Sequence, residues 1–276
     1  MDFELARTVS AAIPDQGFVL AIFLLSLRLS AVFLFTPILY AFSVPATARV
    51  LIVIGLALGL ALGVPSAETR ALLAMGNGEL VAAGITELAL GATLALGILI
   101  AFASISMAGR LVDVQIGFGM AQVYDPVTQR QVPVLTSAFD KLGVIVFFLL
   151  DGHHALLRGI AYSLERFPLG RGWPIESAAP WVIKQMAGLF ALGFALAAPV
   201  VVCLLLVELA LGVVARNLPQ MNMFVIGAPI KIVVGLAALS LWFGGVGPAM
   251  NRIYGSIYKT WDAVFAAAPA PAPGAR

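Results

Sequence analysis

Charge is scarce in this chain. Asp, Glu, Lys and Arg together make up 11% of its 276 residues, whereas about 25% is usual for a soluble domain. Hydrophobic residues account for 61%, and the mean hydropathy is +1.03. No stretch is both polar enough and long enough to form a soluble domain. Most of the chain must therefore face lipid or other apolar helices, and we predict a single helical membrane domain over residues 1–265.

Three further absences exclude classes of function. The formal net charge is only +2 and no run of Lys or Arg occurs, which excludes a nucleic-acid surface. Cys203 is the single cysteine, so no intrachain disulfide can form. Neither the HExxH motif of zinc hydrolases nor the GxSxG motif of serine hydrolases is present. We therefore predict no catalytic residues, no bound metal and no cofactor.

The sequence Asp151-Gly-His-His is the segment that most invites a metal or enzyme interpretation. Adjacent histidines on a helix point about 100° apart, because a turn holds ~3.6 residues. We therefore expect that they do not grip one metal as an i, i+4 pair can. The segment faintly resembles the core of CDP-alcohol phosphotransferases, but the metal-binding aspartates of those enzymes are missing.

Long apolar blocks dominate the chain. A membrane-spanning helix needs about 20 apolar residues, and six blocks approach this length: 18–42, 50–64, 80–109, 132–157, 186–215 and 223–250. They are too long and continuous for the strands of an outer-membrane barrel. We therefore predict an all-α membrane protein with about six hydrophobic helices. The second block is short and the fourth contains ionisable residues, so these helices should need protein neighbours.

Two features concern the ends of the chain. Residues 266–276 are rich in Pro and Ala and lack apolar periodicity, which predicts a disordered tail. With six crossings, Lys and Arg are more frequent on the side that holds both termini, which favours cytoplasmic termini.

Glycine recurs at every fourth position in the second block. Gly55, Gly59 and Gly63 share one helix face, where small residues let another backbone approach closely. We predict a packing seam along this face. The alternative is chance recurrence in a chain with 27 glycines.

Four ionisable residues interrupt otherwise apolar blocks: Arg28, Glu87, Glu208 and Lys231. Such groups cost a few kcal/mol at the bilayer centre and usually face protein or water. They could form a proton or ion path, or they could form ion pairs between helices or subunits, such as Glu208 with Lys231. We favour ion pairing, because no second carboxylate stands one helical turn away to form a relay.

The stretch QIGFGMAQVYDP, which begins at Gln115, follows a long hydrophobic block. Gly117 and Gly119 flank Phe118, so the backbone is permissive where bulky apolar side chains are displayed. Such a segment fits either a mobile apolar gate or an ordinary interhelical loop, and the spacing alone favours the loop.

Three segments together resemble a known family. They are GFGMAQVYDPVTQRQVPVL from Gly117, DGHHALL from Asp151, and PVVVCLLLVELALGVVARNLPQMNMFVIGAPIKIVVGL from Pro199. They are similar to the signature segments of the FliR family of type III secretion export-gate proteins, and the likeness covers roughly residues 20–250. The run ARxxPQMNxFxxGxPxK, from Ala215 to Lys231, is the most specific part. Gln129, where the family usually has Gly, and Asp151, where Asn is commoner, depart from the pattern.

The resemblance implies a structural and gating subunit of the flagellar export gate, without enzymatic activity, in the bacterial inner membrane at the flagellar basal body. Its implied partners are the P and Q components (FliP and FliQ), the export-gate proteins FlhB and FlhA, unfolded flagellar export substrates and membrane lipid. Helical hairpins would pack against the partner subunits in a cone, with the five ionisable residues Arg28, Glu87, Glu208, Arg216 and Lys231 among the candidate contacts.

The resemblance also implies a site. The family's pore is closed by an apolar loop that maps onto Ile116, Gly117, Phe118, Gly119, Met120 and Ala121. This favours the gate over the ordinary loop. Two alternatives for the whole protein remain: the homologous subunit of a virulence injectisome, and an independent secondary transporter. A transporter should show pseudo-symmetric halves, and no clear internal repeat is present.

Overall fold

A computed structural model describes residues 15–38, 44–118, 122–125, 130–173, 175–218, 220 and 222–267. Within these residues the chain forms nine helices and one two-stranded hairpin. In chain order they are α1 Gln16–Phe35, α2 Ala46–Ala61, α3 Ser66–Leu73, α4 Asn77–Ile116, β1 Gln122–Asp125, β2 Arg130–Pro133, α5 Val134–Leu149, α6 Gly152–Arg166, α7 Ile175–Asn217, α8 Met223–Phe243 and α9 Gly247–Ala267.

The predicted all-α class is confirmed, and the short β1–β2 hairpin is a small addition to it. Four described segments are long and apolar enough to cross a membrane. They are the whole of α1, the whole of α4, most of α7 and most of α8. The helices α2 and α3 are bent by 111° relative to each other, and they add a fifth span only if the two together are counted as a single span. The helix α9 runs through Ala267, so the first two residues of the predicted tail are helical. Residues 268–276 lie outside the described part.

The fourth apolar block is divided into two helices at Asp151. The helix α5 ends at Leu149, and Asp151 adopts a φ of +54°, which non-glycine residues rarely adopt. Gly152 then begins α6. Hydrophobicity alone does not mark this break, although the dipeptide Asp151-Gly152 is a common turn signal.

The described residues form two compact units, each assembled from separate segments of the chain. Residues 1–96, 157–179 and 263–276 form the first unit, and residues 97–156 and 180–262 form the second. The single-domain organisation stays a prediction. In the first unit α1 packs against both α2 and α3.

Aromatic rings fill part of the core of the second unit. The centroids of Phe102 and Phe147 lie 5.9 Å apart, and the Tyr254 ring lies 5.6 Å from Phe147. The buried Tyr254 hydroxyl donates a hydrogen bond to the Gly143 carbonyl at 2.5 Å. These contacts hold α9 against α5, because burying aromatic surface is a large source of stability and the hydroxyl is satisfied.

Candidate functional site

The predicted gate begins where the long helix α4 ends. This helix contains 40 residues, and the Gly117 N–H donates its last helical hydrogen bond, to the Asp113 carbonyl at 3.2 Å. Gly117 has a φ of +98°, a conformation that favours glycine and commonly ends helices. The backbone therefore turns out of α4 at the first glycine of the predicted gate. We call residues 117–121 the plug segment.

The structure describes only the first part of the plug segment. Gly117 is exposed and Phe118 is half-buried, whereas Gly119, Met120 and Ala121 lie outside the described residues. Ile116, which the sequence also assigned to the gate, is fully buried. Its side chain packs against α8, where a Cβ added to Gly235 would lie 2.6 Å from Ile116 Cδ1. Ile116 is thus part of the helical core.

A β-hairpin follows the plug segment and brings the chain back. The strands β1 and β2 are antiparallel, with Gln122 opposite Pro133 and Asp125 opposite Arg130. The second strand leads directly into α5 at Val134. Because paired strands lie about 4.8 Å apart, the residue that follows the plug segment lies beside the residue that precedes α5.

Asp113, which the sequence pattern did not single out, lies one turn before the end of α4. Its carboxylate is 1% exposed and accepts hydrogen bonds from the N–H groups of Leu135 and Thr136, at 2.9 and 2.6 Å. The Thr136 hydroxyl also donates to it, at 2.6 Å. The sequence shows at most that α5 lacks a local cap, because Pro133 has no side-chain group to cap a helix, and it does not show which residue supplies one.

Two of the predicted intramembrane charges form a buried ion pair in the first unit. Arg28 Nε donates to Glu87 Oε2 at 2.5 Å, and both side chains are 1% exposed. Arg28 also donates to the Ser163 hydroxyl at 2.9 Å and to the Phe167 carbonyl at 3.0 Å. The pair thereby links α1 and α4 with α6 and the segment after it.

Another pair of predicted charges lies on the α7–α8 hairpin. Lys231 Nζ contacts Glu208 Oε1, which is the pairing that the sequence suggested. The side chains remain 24% and 38% exposed. Arg216 lies exposed near the end of α7. A role of these residues in subunit contacts stays a prediction.

The glycines of the predicted seam face away from the described residues. Gly55 and Gly59 are exposed, and a Cβ added to either would meet no atom within 4 Å. Gly63 lies in the bend after α2, and its only such neighbour is the Leu60 carbonyl at 3.4 Å. The seam therefore packs on no described helix of this chain, and its use by another subunit stays a prediction.

The structure brings donor atoms of Asp151, His153 and His154 within 4.8 Å of one another. These atoms lie closer together than we expected from the angle between adjacent helical side chains. Asp151 precedes α6 and its carboxylate turns back toward His154, so that His154 Nδ1 and Asp151 Oδ1 are 3.2 Å apart. The two imidazole rings face each other at 4.1 Å, and both Asp151 and His154 are exposed. The positive end of the α6 dipole also disfavours a cation here. We assign no metal site to this group.

These features define a helical membrane protein whose candidate site is an apolar interhelical segment and not a catalytic cluster. The chain belongs to the family described as bacterial export proteins, family 1, whose model matches residues 19–257.

Two relatives in this family are flagellar proteins. The flagellar biosynthetic protein FliR of Bacillus subtilis (strain 168) is 31% identical over 243 residues, which cover 87% of this chain and 92% of that protein. FliR of Pectobacterium carotovorum subsp. carotovorum is 32% identical over 175 residues, covering 63% and 67% respectively. The secretion system apparatus protein SsaT of Salmonella typhimurium is more distant, with 23% identity over 158 residues, covering 57% and 61%. The predicted family and its flagellar export-gate function are confirmed, and the secondary-transporter alternative is set aside.

Proposed function

We propose that this chain is the subunit whose plug segment closes the pore of a flagellar export gate in the bacterial inner membrane. One observation carries the proposal. The long helix α4 ends in a Gly117 of positive φ, followed at once by the half-buried Phe118. A glycine in a conformation that other residues resist is thus followed by a bulky apolar side chain, at the end of a helix whose last residue, Ile116, is buried.

The physical action of such a gate needs no catalysis. A narrow apolar constriction excludes hydrated ions, because water leaves it and an ion cannot shed its hydration shell cheaply. An unfolded polypeptide displaces the same constriction by pushing the segment aside, which Gly117 permits. The chain's own residues therefore supply closure and assembly, while the energy for export enters elsewhere in the machine.

The exposed surface of the α7–α8 hairpin supports assembly with partner subunits. Among the apolar windows that could span a membrane, those in α7 and α8 are only 28% and 17% buried within the chain. The Glu208–Lys231 pair lies on this hairpin and is only half-buried. Because charged groups facing lipid are costly, we propose that the hairpin packs against the P and Q components, FliP and FliQ, with FlhB and FlhA as further partners in the apparatus.

Co-purification tests this assembly. A tagged chain should recover FliP and FliQ from membranes, and Gly59→Leu should reduce that recovery, because overpacking a close helix contact costs about 1–3 kcal/mol. Gly255→Leu is a matched control, since Gly255 is also helical and has no neighbour within 4 Å of an added Cβ. Equal recovery from both variants would remove the seam from the account. An active complex that lacks both partners would contradict the assembly itself.

Lys231 gives a second test of the hairpin. Lys231→Met should abolish export, because it leaves the Glu208 carboxylate without its partner on an apolar hairpin. The double variant Lys231→Met/Glu208→Gln should recover part of the activity, and Lys231→Arg should be partly tolerated because guanidinium geometry differs. Motility on soft agar is the measurement. Full motility of Lys231→Met alone would mean that water solvates both groups.

A further inference from the structure

The carboxylate of Asp113 joins the two helices that flank the plug segment and its hairpin. Asp113 belongs to α4, yet its carboxylate oxygens accept hydrogen bonds from the N–H groups of Leu135 and Thr136 at the start of α5. The two partners are 22 and 23 residues further along the chain. The contact therefore closes a loop that contains the whole plug segment and the β1–β2 hairpin.

Asp113 performs the task of a helix cap from a distant position. The first N–H groups of a helix have no partner within the helix, and a Ser, Thr, Asp or Asn at the N-cap usually accepts from the second or third of them. In α5 the N-cap is Pro133, which makes no side-chain hydrogen bond. Leu135 and Thr136 are the second and third residues of α5, so Asp113 takes the hydrogen bonds that a local cap would take.

The hydrogen-bonding groups around Asp113 satisfy its buried carboxylate. Asp113 is 1% exposed, and burying a carboxylate is costly unless its oxygens are hydrogen-bonded. Three donors satisfy it, and the positive end of the α5 dipole adds a favourable interaction. A residue that only stabilised α5 could have stood at position 133. The placement on α4 adds a link between the helices.

We propose that Asp113 is a positioning residue of the gate, which holds the start of α5 to the end of α4 and so fixes where the plug segment lies when the pore is closed. The inference rests on the proposed function of the plug segment. With Ile116 packed on α8 and Asp113 bonded to α5, both ends of the loop are held by the helical core.

The test separates the link from the cap. Asp113→Ala removes both, whereas Asp113→Ala/Pro133→Asp supplies a local cap for α5 without the link to α4. We expect Asp113→Ala to lower the yield of the assembled complex and to raise its ion leak by roughly tenfold or more, since charge-assisted hydrogen bonds are lost. The double variant should regain the yield and keep the leak. Asp113→Asn should give an intermediate leak, and Thr136→Val should leak least, because it removes one of the three bonds.

The measurements are complex yield with FliP and FliQ, and membrane conductance of cells that express each variant with both partners. A double variant that assembles and no longer leaks would show that Asp113 only caps α5, and a double variant that fails to assemble would contradict the assigned cap. Wild-type conductance of Asp113→Ala would also overturn the inference. Deleting the plug segment distinguishes the proposed gate from the proposed role of Asp113. If the complex without the plug segment leaks ions and the complex with the double variant does not, only the role of Asp113 is contradicted.

Discussion

Replacing Arg28 by Met should prevent the chain from accumulating in the membrane and abolish motility. The substitution leaves Glu87 as an unpaired carboxylate that is 1% exposed, and it removes the bonds to Ser163 and Phe167. Removing one partner of a buried ion pair costs about 3–5 kcal/mol. That is a large share of the ~5–15 kcal/mol that stabilises a typical folded protein.

Immunoblots of membrane fractions measure the effect. Arg110→Met is the matched control, because Arg110 lies exposed on α4, the helix that carries Glu87; such surface changes usually stay within about 0.5 kcal/mol. The double variant Arg28→Met/Glu87→Leu should accumulate better than Arg28→Met, since an apolar pair of similar volume often replaces a buried ion pair at little cost. Normal accumulation and motility of Arg28→Met would contradict a structural role for the pair.

Deleting the plug segment should make cells sensitive to salt while the complex still assembles. The sequence placed Ile116 inside the gate, but its packing against Gly235 means that a deletion should spare it. Removal of residues 117–121 then takes away the apolar constriction and leaves α4, α5 and their Asp113 contact in place. Growth on high salt and secretion of an export substrate are the measurements. Normal growth on high salt, with an assembled complex, would make the segment an ordinary loop.

Single substitutions in the plug segment should affect closure of the pore to ions and export of substrate separately. Phe118→Ala should leak more mildly than the deletion, because neighbouring side chains fill part of the gap. Gly117→Val should slow export without a leak, since a β-branched residue resists the positive φ of +98° at this position.

The helices were predictable because their signal is local. Long apolar blocks and the FliR-like segments sufficed for the class and the family, while the role of the plug segment stays a prediction. The Glu208–Lys231 contact was also within reach, because it joins consecutive blocks that must form a hairpin. The break at Asp151 was not predicted from hydrophobicity, although Asp-Gly is a common turn dipeptide and Asp tolerates a positive φ such as the +54° found here.

Contacts between distant segments were the part that the sequence could not supply. Arg28 and Glu87 lie 59 residues apart, and Arg28 reaches Phe167 139 residues further along the chain. Seen alone in the sequence, each of these charged residues is equally compatible with an ion path, a contact with a partner subunit or an ion pair within the chain. Asp113 was missed for the same reason, since its partners on α5 meet it only after the hairpin has brought the chain back.

The conductance of membranes that contain the chain together with FliP and FliQ tests the central claim most directly. The wild-type complex should be closed to small ions, and the complex lacking residues 117–121 should conduct them, at equal amounts of assembled complex. If the deleted complex assembles, conducts no better than the wild type and exports its substrate unchanged, the plug segment does not close the pore.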